Sequence, residues 1–515
     1  MSGLWMRDVA AGWLMTSLAP APSMVALVQA ATTLPAFLLS FPAGALADIV
    51  DRRRLLLVTQ LWMLAVTALL AAVTAAGAMT PWLLLAFTFA LGLGLALMMP
   101  AWVATTPELV PKEELRSAVA LNSMGMNVAR AVGPGLAGVM TAAAGPAAVF
   151  ALSALSVGAM IVALHRWRRE PKTSTLPAEQ FTGALRTGIR YARHSPPLKR
   201  VLVRGGAFFF FAVASWAFLP LIVRDALRGG AGLFGWMLAC VGIGAVAGAL
   251  LLPKMHARVS GDGTVAAGSA ITAAVALALA FVHDVRLLSV AMFVMGAAWL
   301  SVMSSLQVAA QMALPAWVRA RGLALFLTVF QGAMAVGSVV WGQVADRAGI
   351  PVALAVAAAG ALAGIAATWR LRIGGHEHAD LSPSGHWPTP HGSEDLEHDA
   401  GPVVVSLEYQ IDPAEIDSFR VAMESLHRIR KRDGAFFWGL FHDAADRSRY
   451  IEYFMVESWV EHLRQHERTT VADLAVEARA KAFHVGVEPI VVTHWIAATG
   501  ERDGAAHQDI PLIVT

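Results

Sequence analysis

A single cysteine, Cys240, occurs in the 515 residues, so neither a disulfide framework nor a thiolate metal site can be built. Charge is equally scarce. Only 15% of residues are Asp, Glu, Lys or Arg and 57% are hydrophobic, with a mean hydropathy of +0.59. A soluble domain carries about a quarter charged residues, so the bulk of this chain is built for lipid. The formal charge of +3 is too small to suggest a nucleic-acid partner. No Gly-x-x-x-x-Gly-Lys-Ser phosphate loop occurs, which disfavours an ATP-driven machine. Met1–Leu18 has neither a basic leader nor a small-residue cleavage site, so it does not read as a cleavable signal peptide.

What is present is a series of long apolar runs. Met1–Leu18 is short for a bilayer span and carries Arg7-Asp8; we expect a first helix that lacks its N-terminal half. A charge at membrane depth is a functional candidate, and Asp8 is a candidate proton-coupling group. Ser23–Ala47, Leu55–Gly77, Pro81–Thr106, Ser117–Ala142 and Pro146–His165 complete a first set. Val201–Val223, Ala231–Met255, Thr264–His283, Leu287–Leu314, Gly322–Ala345 and Ile350–Trp369 form a second. Each is close to the ~20 residues a spanning helix needs. The connections alternate between nearly uncharged ones and basic ones, the latter at Asp48–Arg54, Pro107–Arg116 and Arg166–Arg200. The excess of Lys and Arg in short cytoplasmic loops places these basic connections in the cytoplasm. Phe181–Arg193 spaces its basic residues a turn apart and is predicted to be a surface helix near anionic headgroups.

The two sets read as a repeat. At an offset of 204, Gly44 falls on Gly248, Arg54 on Arg258, Pro111 on Pro315, Leu121 on Leu325, Asn127 on Gln331, Gly133 on Gly337 and Gly138 on Gly342. A same-orientation repeat places a substrate cavity between two halves at mid-membrane. Polar residues inside the spans are the candidates to line it: Asn127 and Arg130, one turn apart, and Gln331. Gln307, Gln311, Gln343 and Trp216 are weaker ones. Gly133-Pro134 and Gly138 are expected to bend the helix that carries Arg130, since proline removes a helical hydrogen bond.

The elbow Gly44–Leu55 resembles the loop 2–3 signature of the major facilitator superfamily, G-x-x-x-D-[RK]-x-G-[RK]-[RK]. Gly44, Asp48, Arg52 and Arg53 match it, while Ile49 and Asp51 depart from it. Gly44 itself permits close helix approach, and the resemblance implies a gating latch at Asp48 with Arg52 and Arg53 beside it. Ala129–Gly138 resembles the helix 5 signature of facilitator exporters, which implies export, with Arg130 as a cavity cation for an acidic or catecholate-like substrate. Val9–Leu14, Pro42–Asp48 and Leu121–Gly125 resemble the branch that includes the enterobactin exporter. The resemblance covers residues 1–372. It implies a proton-coupled exporter of siderophore-like or drug-like molecules, needing no cofactor beyond the gradient and working by alternating access in an inner membrane.

Residues 373–401, rich in His, Pro and Gly, read as a flexible linker, and His376, His378, His386, His391 and His398 as solvated rather than metal-bound. Residues 402–498 have soluble composition and a βαββαβ pattern, with strands at Val403–Ile411, Ala435–His442, Arg449–Glu457 and Pro489–Ala497 and helices at Pro413–Arg432 and Val460–Phe483. This resembles a small, usually dimeric ferredoxin-like domain of the antibiotic-biosynthesis-monooxygenase type. His442, His462, His466, Trp438 and Trp459 are candidates for holding a small aromatic ligand there. The expected fold is therefore an all-α polytopic membrane protein of two six-helix repeats (1–165 and 201–372, joined by the connector 166–200) plus a small α+β domain and a tail, 499–515. Regulation, or dimerisation through 402–498, is the expected role of that domain. A membrane-tethered enzyme or a sensor is the alternative reading of the whole.

Overall fold

The computed structural model describes residues 2–109, 114–167, 181–256, 258–374, 380–387 and 400–497. Contacts divide the chain into two units. The first comprises 1–188, 197–314 and 319–377; the second comprises 189–196, 315–318 and 378–515.

The first unit is helical. Its helices are α1 (Ser2–Leu18), α2 (Pro22–Ile49), α3 (Arg52–Ala75), α4 (Pro81–Leu109) and α5 (Leu115–Arg166), then the first half of α6 (Phe181–His194), whose residues from Ile189 on belong to the second unit, and α7 (Pro196–Leu221), α8 (Ala231–His256), α9 (Gly261–Phe281), α10 (Val285–Met312), α11 (Arg319–Ala348) and α12 (Ile350–Thr368). Ten of them are long and apolar enough to cross a membrane. The other two expected spans are α1, 17 residues long, and the second arm of α5. That arm runs on from the first through one non-helical residue, Gly145, at φ 80° and ψ 168°. An expected loop at 143–145 is thus a single kink. Gly349, between α11 and α12, has φ 87° and ψ 157°. Both positions need φ > 0, which only glycine adopts at no steric cost, and the two glycines are 204 residues apart.

The same offset superposes α4 on α10 and the first arm of α5 on α11. It places α1 on the latter part of α7, whose start at Pro196 precedes the expected Val201 by one turn. The packing repeats as well: α2 and α3 pack on α4 as α8 and α9 pack on α10, and α3 packs on α5 as α9 packs on α12. Between the halves, α2 packs on α11 and α5 on α8. One end of the bundle carries the basic connections around Arg52–Arg54, Arg319 and Arg370. The other carries the short charge-poor turns 19–21, 76–80 and 282–284.

The second unit contains a four-stranded antiparallel sheet of β1 (Val403–Gln410), β2 (Phe437–His442), β3 (Arg449–Val456) and β4 (Val492–Ile496) in the order β2-β3-β1-β4. Val403, Val405, Leu407 and Tyr409 alternate along β1 and face Phe419, Met423 and Leu426 of α13 (Ile416–Asp433). The predicted last helix is two: α14 (Trp459–Arg468) and α15 (Val471–Lys481). They are divided where Thr470 and Asp473 form a reciprocal capping box. Residues 380–387, expected as free linker, pack on this unit: Ser384 N donates to Thr469 O at 2.9 Å and Trp387 Nε1 to Glu477 at 2.9 Å. Residues 375–379 and 388–399, with His376, His378, His391 and His398, and the tail 499–515 lie outside the described residues.

Candidate functional site

The interface between the halves is built on small residues. A Cβ placed on Gly138 of α5 would stand 2.7 Å from Ala231 O and 2.7 Å from Gly235 Cα of α8. One on Gly235 would meet Gly138 Cα at 2.6 Å and Pro134 O at 2.7 Å, and one on Gly242 would meet Ala131 Cα at 2.5 Å. Backbone therefore lies on backbone where α5 crosses α8, the close approach that small residues permit between helices in lipid. Gly133 and Pro134 are buried in this crossing, and the non-helical residue of α5 is Gly145. The repeat-related crossing of α2 and α11 is similar. A Cβ on Gly342 would meet Ser23 Cα at 2.9 Å and Ala26 Cβ at 3.1 Å. Ser23 N also donates to Asp346 Oδ1 at 3.0 Å. The Gly138, Gly235 and Gly342 contacts lie toward the charge-poor end, and the Gly242 contact lies at mid-helix. Toward the basic end the same four helices expose Leu46, Leu121, Leu250 and Leu327. The same helices also expose Leu136, Val139 and Trp236 toward the charge-poor end, so these leucines mark the lipid-facing side of the bundle.

Midway along, α1 packs on α5. Arg130 Cζ lies 5.0 Å from the Trp5 ring centroid, and its buried Nε finds no acceptor among the described residues. A guanidinium held over an aromatic face keeps its positive charge and a donor N–H. Asp8, one turn from Trp5 on α1, is bound by Arg7 at 3.1 Å, with Arg7 only 5% exposed. Gln331 is half-buried on α11, next to Gly332, whose Cβ would meet Phe37 of α2 at 2.6 Å. The structure thus brings Asp8 and Arg130 onto one helix pair, and Gln331 onto the other crossing. Asn127 and Asp48 lie within α5 and α2, but their side chains are outside the described residues.

At the basic-end elbow, a Cβ on Gly44 would meet none of the described residues within 4 Å. Arg53 donates from Nε to Leu164 O at 3.1 Å and from Nη2 to His165 O at 2.7 Å. A cation there satisfies the open carbonyls of the last turn of α5 and complements its dipole. Asp51, where the family signature has glycine, caps α3 by accepting from Arg54 N at 2.8 Å. An Asp directly before a helical run was readable as a cap. The Arg53 contact with α5, more than a hundred residues on, was not.

In the second unit, His462 (1% exposed) lies against His466 at 3.2 Å between Nε2 atoms, with the His494 ring at 4.8 Å. Burial, followed by the neighbouring His466 and His494, pushes His462 down to about 3. Burial and His494 push His466 down to about 4. Beside them Arg430, 2% exposed, is held by Glu452 at 3.2 Å, which also accepts from Trp438 Nε1 at 3.0 Å. Of the residues proposed from sequence to hold an aromatic ligand, Trp459 and His462 are core and His442 lies exposed on β2. Among the described residues no group of three or more His, Cys, Asp or Glu could hold a metal.

Comparison with known proteins is consistent with this architecture. A family model described as transmembrane secretion effector matches residues 1–502. The staphyloferrin A transporter of Staphylococcus aureus is 24% identical over 255 residues, covering 49% of this chain and 64% of that protein. An uncharacterised MFS-type transporter, y4rN, of Sinorhizobium fredii is 26% identical over 288 residues, covering 54% of this chain and 68% of that one. The matched region therefore spans about two thirds of the length of these relatives. Among solved structures, a POT family transporter in complex with 5-aminolevulinic acid aligns with TM-score 0.56 at 13% identity, covering 72% of this chain and 94% of that one. The nucleoside transporter NupG aligns with TM-score 0.53, also at 13% identity, covering 72% and 100%. At these identities the structural likeness is one of fold.

Proposed function

The chain belongs to the transmembrane secretion effector family of major facilitator transporters, and from that premise we propose that it exports small molecules by alternating access, driven by a proton gradient. The observation that supports the reading is the pair of small-residue crossings between the repeated halves, where backbone lies on backbone at Gly138, Gly235 and Gly342, a seam along which two rigid halves can part. With basic connections in the cytoplasm, the carrier sits in a bacterial-type inner membrane with its C-terminal domain cytoplasmic. Arg130, with its spare N–H, meets an anionic group of the cargo, and Asn127 and Gln331 line the path. Asp8 exchanges the proton, and Asp48 with Gly44, Arg52 and Arg53 latches the alternative state. Gly133, Pro134 and Gly138 let α5 shift against α8. The cargo is siderophore-like or drug-like; one relative is named for staphyloferrin A.

For residues 402–498 we infer a ferredoxin-like domain, from the β2-β3-β1-β4 order, that pairs two copies of the chain and regulates transport. Its sheet face away from α13 carries the stacked rings of Phe437, Tyr453 and Phe441, with centroids 5.1 and 5.2 Å apart, and Trp495 is 62% exposed. An apolar sheet face of this kind suits a second copy.

The test is flux into inverted membrane vesicles of a panel of siderophores and amphipathic drugs, with wild type, Asp48→Asn and Arg130→Ala. Gradient-dependent uptake that both variants lose is expected. Uptake indifferent to the gradient, or unchanged in Arg130→Ala, overturns the reading.

A further inference from the structure

Deep in the second half lies an aromatic cluster that the roles assigned above leave unused. On α7 every residue from Ala212 to Val223 is buried except Trp216, which is half-buried. On α10 the exposed residues Leu287, Val290, Val294 and Val308 form one stripe. At about 100° per residue, Trp299 falls on the opposite side of that helix. Leu288, Met292, Met295, Val302 and Leu306 on that side are fully buried, yet Trp299 is only half-buried. The surface that Trp216 and Trp299 keep is therefore turned to a space inside the bundle and not to lipid. Their ring centroids are 5.4 Å apart with the planes at 70°. Phe330 of α11 stands 6.4 Å from Trp299 at 63°, and Phe209 lies behind both, 5.4 Å from Trp299 and 4.3 Å from Phe330. Trp216 Nε1 is buried and finds no acceptor among the described residues.

The first half supplies the facing wall. Along α1, Trp5, Asp8 and Gly12 form a half-buried stripe, while Met6, Arg7, Val9, Ala10 and Ala11 between them are buried. A Cβ on Gly12 would lie 3.9 Å from Pro220 Cγ of α7. Asp8 is one turn before Gly12, and Trp216 is one turn before Pro220. The two helices are related by the repeat and run in the same direction, so Asp8 and Trp216 flank one space. Arg130 lies over Trp5 one turn further along the same stripe.

We propose that Trp216, Trp299 and Phe330 form an aryl-binding subsite, and that the cargo carries a planar aromatic ring with a hydrogen-bond acceptor on it as well as an acidic group. Rings already set at steep angles to one another offer an incoming ring both a face and an edge. The acceptor takes the Trp216 N–H, a buried donor that costs free energy while it stays unmade. The acidic group goes to Arg130. An aliphatic cargo of the same size and charge fills the space without the ring contacts, so the wall selects by aromaticity. The inference rests on the reading of this space as the transport path. It is independent of the direction of transport and of its coupling.

The test is equilibrium binding to the full-length protein in lipid nanodiscs, with binding to empty nanodiscs subtracted. The probes are 2-naphthoate, its saturated counterpart decahydro-2-naphthoate, and 6-methoxy-2-naphthoate. Wild type should hold 2-naphthoate roughly tenfold tighter than the saturated acid, and the methoxy acid tighter again by roughly fivefold. Trp299→Leu and Phe330→Leu should each shrink the preference for the aromatic acid. Trp216→Phe should keep most of that preference and lose the gain from the methoxy oxygen. Arg130→Ala should weaken all three probes alike and leave their ratios unchanged. Equal affinity of wild type for the aromatic and saturated acids overturns the proposal, as does binding of none of the three. A preference that survives intact in both Trp299→Leu and Phe330→Leu overturns it too. Binding is read without a gradient or flux, so failure of this subsite is distinct from a failure to export.

Discussion

Adding one methyl group at Gly138 should push this protein toward the state in which its charge-poor end is open. The new Cβ would lie 2.7 Å from Ala231 O and from Gly235 Cα, both backbone atoms that no rotamer change can move. Ordinary carbon contacts are at 3.5–4.0 Å, so α5 and α8 must separate by roughly 1 Å. Overpacking of this kind costs about 1–3 kcal/mol. The cost falls only on the state that makes the crossing, so the ratio of states shifts by about 5–150-fold. The assay takes Ser23→Cys, at the sister crossing near Gly342, in a Cys240→Ala background and follows labelling by a membrane-impermeant maleimide from outside. Gly138→Ala should speed labelling by that factor and Gly138→Val by more. Gly125→Ala, where a Cβ meets nothing within 4 Å, should leave it unchanged. A folded Gly138→Val protein that labels at the wild-type rate refutes the reasoning.

Further predictions concern the second unit. His462 is neutral when folded, with a pKa depressed to about 3 against about 6.5 unfolded. Its contribution to stability is therefore full above pH 6.5 and is lost as pH falls from 6.5 toward 3, because the unfolded chain binds the proton first. At pH 5 the loss from this group alone is about 2 kcal/mol. Hydrogen exchange of β1 and β3 in the full-length protein should accelerate accordingly between pH 7 and 5, and His462→Phe should flatten the profile. Glu452→Gln leaves Arg430, buried at 2% exposure, without its main partner, and should cost about 3–5 kcal/mol. Replacing both together, Arg430→Met with Glu452→Leu, should cost much less, as measured by thermal unfolding of the domain in the intact protein.

How legible this was depends on whether a feature is local. The apolar runs bounded by charge marked α2 to α5 and α7 to α12 to within about a turn, because a bilayer span is a compositional signal. The offset of 204 seen in seven residue pairs recurs as backbone geometry in Gly145 and Gly349. The continuity of α5 through residues 143–145 was not legible, since three small residues before a proline read equally as a loop. Residues 380–387 were read as linker because their order comes from Trp387 and Ser384 contacts with α14 and α15, which no local pattern announces. The split between α14 and α15 was legible in Thr470-x-x-Asp473 and was missed. In the candidate site, sequence reasoning singled out Arg130 and Gly138 individually. It could not place Trp5 beneath Arg130 or Gly235 against Gly138, because partner identity across helices is set by packing.

The central claim is that the two halves exchange which end is closed. It is tested most directly by paired spin-label distances in lipid: Arg54→Cys with Arg258→Cys across the basic end, and Ala78→Cys with His283→Cys across the charge-poor end, all exposed positions. On imposing a proton gradient with substrate, the first distance should shorten as the second lengthens. If both stay fixed, or if both change in the same sense, the account of alternating access is wrong.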